Sequence, residues 1–244
     1  NIIIGQASVG VEIKKQLNNN PDHIILPVGG GGLSAGVTSY FGSQCTYTLV
    51  EPLGGACLRE ALINGKPTKL DTVNTFADGA AVGKIGEKTF SRLRNIGLAN
   101  VITIPEDRIC ISMLDMLNVE GIVLEPAGAL AVDALQDLGQ AIRGRRVVCV
   151  TSVGNIYFEL LQEVKERAQR FAGLKKYLIL RMPQRPGALK EFLNFLGPED
   201  DITRFEYLKK SARNFGSILI GIETKSPDSS VSYTHLTLPT SVPV

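Results

Sequence analysis

Residues 27–36 read PVGGGGLSAG, four consecutive glycines set between an apolar run at 23–28 and a segment of helical character at 33–41. Without side chains, successive amides can turn inward together and let an anion approach the main chain closely. The first turn of the following helix adds free N–H groups and the positive end of its dipole. Strand, glycine loop and helix in that order make a seat for a phosphate. The plainer reading is a turn, which glycine clusters form more often than they form a site; the flanking strand and helix favour the seat.

Upstream, residues 1–6 (NIIIGQ) read as a short apolar strand with no domain start before it, the expectation for a fragment that opens in mid-strand. Ser8 is expected to cap a helix with Val9, Ile13 and Leu17 on one face, Glu12 early, and Lys14 and Lys15 late. Downstream, 46–50 reads as a strand ending in Glu51-Pro52, and strand, helix, strand at this spacing is a parallel crossover unit. Helices are expected over 57–63, 86–94, 106–117 and 125–138, the last with Pro126 in its first turn, where a missing N–H costs little. Strands are expected over 101–104 and 147–150, the second leading into TSVGN at 151–155. Parallel strands present ligand groups at their C-terminal ends, so the glycine loop, Glu51 and Ser152 are expected to converge.

After a helix over 157–171 the pattern changes. Residues 176–182 alternate as a strand, PQRPG turns, 188–196 is helical, and 202–208 and 217–223 are strands. This is a βαββ unit, with a boundary at Ala172–Gly173. Residues 229–244 (SSVSYTHLTLPTSVPV) carry no Lys, Arg, Asp or Glu and read as a non-native tail of the kind left by adapter read-through.

The 244 residues are 44% hydrophobic, ample for a buried core. A net charge of +2 with acids and bases interspersed leaves no basic face for nucleic acid and points to small-molecule partners. No apolar run approaches the roughly 20 residues of a membrane span, so the default location is cytoplasmic. Cys45, Cys57, Cys110 and Cys149 have neither metal-ligand nor redox spacing and are expected to be reduced and inert. With His23 and His235 the only histidines, most histidine triads and metal clusters are excluded.

Two phosphate-binding readings compete. Gly30, Gly32 and Ala35 fit a G-x-G-x-x-A dinucleotide fingerprint, with Glu51 as the ribose-binding acid. Against it stand GGGGL at 29–33, VEPLGGACL at 50–58, FADGAAV at 76–82, LEPAGALA at 124–131 and TSVGN at 151–155. Together, in this order and over most of residues 1–172, these resemble the threonine dehydratases (threonine ammonia-lyases), fold-type II pyridoxal phosphate enzymes related to the tryptophan synthase β-subunit. Five collinear matches outweigh the glycines alone, and the dinucleotide fold remains the lesser alternative.

The resemblance implies pyridoxal 5'-phosphate as cofactor. Its phosphate would be held by Gly29, Gly30, Gly31 and Gly32 with the amide of Leu33. Ser152 would face the pyridine nitrogen, Gly79 would line the cofactor face, and Glu125 would lie near the ring. Ser152 can also be a plain turn serine, and Glu125 a helix N-terminal acid. A neutral hydroxyl at the pyridine nitrogen makes the ring a weaker electron sink, which suits β-elimination. Glu51 corresponds to the first member of a cation-binding triad in some relatives. Its last member, an acid there, is Cys57 here, so no metal is expected. The family's cofactor lysine and its substrate-carboxylate loop lie in a motif not found in this sequence; Lys14, Lys15 and Lys84 stand in other contexts. No catalytic residue is therefore assigned, and the chain is expected to be a fragment whose whole parent takes L-threonine to 2-oxobutanoate and ammonia, and L-serine to pyruvate.

Residues 176–197 (KYLILRMPQRPGALKEFLNFLG) resemble the opening of the ACT-like regulatory domain of biosynthetic threonine dehydratases. Phe205-Glu206-Tyr207 matches the strand that contacts effector in relatives, which would make Tyr207 a contact, but the favoured reading is a core role for either aromatic on an alternating strand. That domain favours isoleucine biosynthesis with isoleucine feedback, and the resemblance implies a homo-oligomer, commonly a tetramer. A complete unit is βαββαβ, so truncation at this end is expected too. The competing class is a non-catalytic amino-acid sensor with a relic loop. The expected fold is α/β: a partial tryptophan synthase β-like fold-type II domain with a parallel sheet (1–172), then a partial ACT-like α+β domain (173–228) and the tail (229–244).

Overall fold

The apolar run after the first helix forms β1 (His23–Pro27), all five residues of which are buried. Burial without alternation belongs to a parallel sheet covered on both faces. The computed structural model describes residues 1–152, 157, 159–208 and 215–227. Contacts divide the chain into two units, Asn1–Lys165 and a second beginning at Glu166.

In the first unit β1 lies between β2 (Thr46–Pro52) and β4 (Val147–Cys149), and β2 also pairs with β3 (Val101–Ile104), giving the order β3-β2-β1-β4. Every pairing is parallel, with His23 opposite both Thr46 and Val147. The crossover from β1 to β2 is α2 (Gly32–Phe41), as the spacing predicts. Ile24, Leu26, Val37, Phe41, Leu49 and Leu58 meet in one core.

The N-terminus corrects an expectation. Residues 1–6 are not a strand: α1 (Ile2–Leu17) runs through them. Ser8 is inside this helix and caps nothing, its hydroxyl donating to Gly5 O at 2.7 Å. Three β-branched isoleucines favour a strand locally, but Ile3, Val9 and Ile13 form a stripe that packs on the core, and burial of that stripe decides. The approach of α1 to α2 is close enough to need glycine on both sides. A Cβ on Gly36 would lie 2.7 Å from Ala7 N, and one on Gly10 would lie 2.7 Å from the Tyr40 ring.

The remaining helices of this unit are α3 (Cys57–Asn64), α4 (Glu87–Leu93), α5 (Glu106–Asn118), α6 (Pro126–Asp133) and α7 (Leu135–Leu138). The single helix expected over 125–138 divides at Ala134, whose carbonyl accepts both the Asp137 and Leu138 N–H groups and tightens the turn. Asp133, fully buried, accepts from Arg108 Nε at 2.7 Å and from Ser112 Oγ at 2.8 Å, which ties α6 to α5. α8 (Leu160–Phe171) spans the division between the units.

The second unit is built from β5 (Lys175–Pro183), α9 (Ala188–Leu193), β6 (Asp201–Leu208) and β7 (Phe215–Glu223), an antiparallel sheet of order β5-β7-β6. Alternation sorts its faces: Met182 joins Ile218, Ile220 and Ile222 against Ala188 and Phe192 of α9, while Ile179 points away and is exposed. This is the expected βαββ order. The expected tail at 229–244, with His235, lies outside the described residues, as do residues 153–155 of the TSVGN stretch. Among the described residues no helix is long and apolar enough to cross a membrane.

Candidate functional site

The ladder runs one residue past β1, where Val28 N–H donates to Val50 O at 2.8 Å, and then the glycines leave the sheet. Their need for glycine is steric as well as conformational. Gly31 has φ +79°, and a Cβ there would meet the Thr89 side chain at 3.0 Å. A Cβ on Gly29 would lie 2.9 Å from Gly79 O and 3.0 Å from Ala80 Cα, so the loop presses directly on a second backbone segment. Gly79 is pinned in turn: its Cβ would lie 3.0 Å from Glu125 Oε1 and 3.1 Å from Ala127 Cβ.

α2 begins inside the loop. Its first backbone bond runs from Ala35 N–H to Gly31 O at 2.9 Å, so the amides of Gly32, Leu33 and Ser34 precede any intrahelical acceptor. Ser34 Oγ donates to Pro27 O at 2.8 Å and fixes the helix start against the end of β1.

All eight residues singled out by the sequence line one cavity of about 630 Å³: Gly29, Gly30, Gly31, Gly32, Leu33, Gly79, Glu125 and Ser152. α1 adds Gln6 and Val9 to the wall. Glu125 stands at the N-cap of α6 without capping it through its side chain, and burial together with the nearby Asp78 charge raises its pKa. It therefore holds a proton more readily than an ordinary glutamate.

Glu51 does not join them. It is fully buried, and its two oxygens accept the N–H groups of Leu58 at 2.7 Å and Arg59 at 2.8 Å in the first turn of α3. Ala56, the local N-cap, offers no side-chain bond, so a glutamate from β2 satisfies amides that a local cap would otherwise serve. Burial pushes its pKa to about 7. Fully buried, turned onto α3 and absent from the cavity lining, Glu51 is out of reach of a ribose, which removes the residue the dinucleotide reading depended on, and the expected convergence of three strand ends reduces to two.

The comparisons with known proteins agree with this geometry. Residues 1–153 match the family described as pyridoxal-phosphate dependent enzyme. The chain belongs to the pyridoxal-phosphate dependent enzymes. Residues 166–232 match the C-terminal regulatory domain of threonine dehydratase. The chain is 45% identical over 228 residues to the L-threonine dehydratase biosynthetic IlvA of Halalkalibacterium halodurans, covering 92% of this chain and 55% of that protein. It is 44% identical over 229 residues to the IlvA of Bacillus subtilis, covering 92% and 54%. The processed form of threonine deaminase isoform 2 from Solanum lycopersicum superposes with a TM-score of 0.63 at 34% identity, over 68% of this chain and 49% of that one. The chain thus spans about half the length of the curated relatives it matches. Its fold is the fold-type II arrangement followed by the regulatory domain.

The residues present fit the family's cofactor. A loop whose outer sides are closed by neighbouring atoms keeps one side free: a Cβ on Gly30 would meet nothing within 4 Å. That free side, three helix-terminal amides and a cavity of this size match a phosphate carrying a single aromatic ring.

Sequence reasoning missed Thr89, whose Oγ1 lies 2.8 Å from Gly30 O, because 59 positions separate the two residues. It also missed Gln6, through the mistaken strand. In the second unit, Phe205 and Tyr207 are not core residues. They are 41% and 43% exposed and line a cavity of about 370 Å³ with Leu189 and Leu193 of α9. β6 is an edge strand, so the face of its aromatics is covered from one side only.

Proposed function

We propose that this chain is the phosphate-holding and regulatory part of a biosynthetic threonine dehydratase. The whole protein eliminates water from L-threonine, and water then hydrolyses the resulting enamine to 2-oxobutanoate and ammonia, with L-serine going to pyruvate as a side activity. The observation that carries this reading is the gathering of eight motif residues around one cavity in a chain whose second part matches a threonine dehydratase regulatory domain.

Pyridoxal phosphate, when bound, supplies the electron sink that makes the α-proton of an amino acid acidic and lets the β-hydroxyl leave. This chain's residues bind and orient. The amides of Gly30 to Leu33 and the positive end of α2 neutralise phosphate charge, the helix end alone contributing about 0.3–1 kcal/mol. Ser152 offers the ring nitrogen a neutral hydroxyl, so no carboxylate holds a proton there. Gly79, which has no side chain to project into the cavity, would leave room for the ring. Glu125 lines the cavity near where the ring would lie, its pKa raised by burial and the nearby Asp78 charge. None of the described residues that line the cavity is a lysine, so we assign the covalent tether to a residue outside this sequence.

The apolar groove of Leu189, Leu193, Phe205 and Tyr207 suits a branched-chain amino acid, and we assign isoleucine feedback to it, in a cytoplasmic homotetramer. The test uses the full-length protein supplied with cofactor. It should release 2-oxobutanoate from L-threonine, more slowly once isoleucine is added. Isoleucine binding without any keto acid would favour the amino-acid sensor instead.

A further inference from the structure

Two side chains behind the cavity hold the outer carbonyls of the glycine loop. Thr89 Oγ1 lies 2.8 Å from Gly30 O and 2.9 Å from Gly86 O, its one proton shared between them. Cys57, the first residue of α3, places Sγ 3.4 Å from Gly29 O. Both side chains are buried. Burial, the Glu51 charge and a hydrogen bond to the Glu51 carboxylate push the Cys57 pKa up to about 12, so the thiol keeps its one proton and shares it between Glu51 and Gly29 O.

Among the described residues every peptide is trans, and in a planar trans peptide the C=O and N–H point in opposite directions. Holding Gly29 O at Cys57 therefore turns the Gly30 N–H to the other side. Holding Gly30 O at Thr89 does the same for the Gly31 N–H. Gly30 and Gly31 both line the cavity. A run of four glycines has the widest choice of backbone conformations of any sequence, so left alone its amides would have to be ordered at the moment of binding.

We propose that Thr89 and Cys57 are positioning residues that pre-set the Gly31 and Gly30 amides for the phosphate of the cofactor. This rests on the pyridoxal phosphate reading of the cavity. Neither residue is among those that line the cavity. Their effect must therefore appear as selectivity for the phosphate, which a purely structural role would not produce.

The test is equilibrium binding of pyridoxal phosphate, and of pyridoxal without the phosphate, to the full 244-residue chain. Wild type, Thr89→Val, Thr89→Ser, Cys57→Ala and Cys57→Ser are compared, each with its melting temperature. Thr89→Val should lose roughly tenfold for pyridoxal phosphate, the worth of one strong hydrogen bond, and less than about twofold for pyridoxal. Thr89→Ser should bind like wild type. Cys57→Ala should show the same pattern at about threefold, because a thiol is a weak donor, with Cys57→Ser restoring affinity. Unchanged pyridoxal phosphate affinity in a folded Thr89→Val, or equal losses for the two ligands, would overturn the inference. Should Thr89→Val fail to fold, the Cys57 pair decides alone: a phosphate-selective loss confined to alanine supports it, and no loss overturns it. A wild-type chain that binds no pyridoxal phosphate overturns the cofactor reading and this inference together, whereas wild-type binding matched by every variant overturns this inference only.

Discussion

Gly29→Val is expected to weaken pyridoxal phosphate binding by roughly 100-fold or more. Even the first carbon of the new side chain would lie 2.9 Å from Gly79 O and 3.0 Å from Ala80 Cα, and both are backbone atoms that no rotamer change can move. Either the glycine loop or the 79–80 segment must shift. A shifted loop loses the alignment of its amides, and two charge-assisted hydrogen bonds at about 1.5–3 kcal/mol each are more than enough for that loss. A shifted 79–80 segment instead disturbs Gly79 against Glu125 and Ala127, the opposite wall of the same cavity. The measurement is a binding isotherm accompanied by a melting curve. Affinity within threefold of wild type in a folded variant would show that the loop does not hold the phosphate.

The second large effect is on stability and follows from Glu51. Its pKa in the folded chain is about 7 against an ordinary 4.5, so the folded state binds this proton more tightly than the unfolded state. The stabilisation is fully present below pH 4.5 and is lost as pH rises through about 7. At 1.36 kcal/mol per pH unit the swing is roughly 3 kcal/mol. Denaturant unfolding of wild type and Glu51→Gln should therefore diverge with pH: the stability of wild type relative to the variant falls by about that amount between pH 4.5 and 8. A difference that stays flat would mean that Leu58 and Arg59 already hold Glu51 as an ordinary carboxylate.

These residues show how far the sequence could be read. β1 was legible because a strand buried on both faces must be an unbroken apolar run, and residues 23–28 are one. The cavity was legible because its members fall in short collinear stretches that carry the family resemblance, although the contacts that require glycine at 29, 31 and 79 come from distant segments. α1 was not, since Ile2 to Ile4 suit a strand by local preference and only packing on α2 makes them helical. Glu51 was misplaced for a related reason. At the end of a parallel strand an acid reads as a ligand group, whereas its partners are amides of α3 whose need for a cap is set by the three-dimensional turn at Ala56. Thr89 carries no local signal at all, for its partner Gly30 lies in a different element.

The aromatics of β6 make the complementary point. Alternation put Phe205 and Tyr207 on one face correctly, but whether that face is core or groove depends on how far α9 extends across the sheet. α9 ends at Leu193, short of the expected 196, and both rings remain partly exposed.

The central claim, that the loop at 29–33 holds the phosphate of a cofactor the chain cannot tether by itself, is tested most directly by titrating the chain with pyridoxal phosphate in the presence and absence of inorganic phosphate. Borohydride is then added to reduce any cofactor–lysine linkage to a permanent one. The account predicts saturable binding that phosphate displaces, with no stoichiometric covalent adduct after reduction. A one-to-one adduct mapped to a single lysine of this chain, or binding that phosphate does not displace, would contradict it.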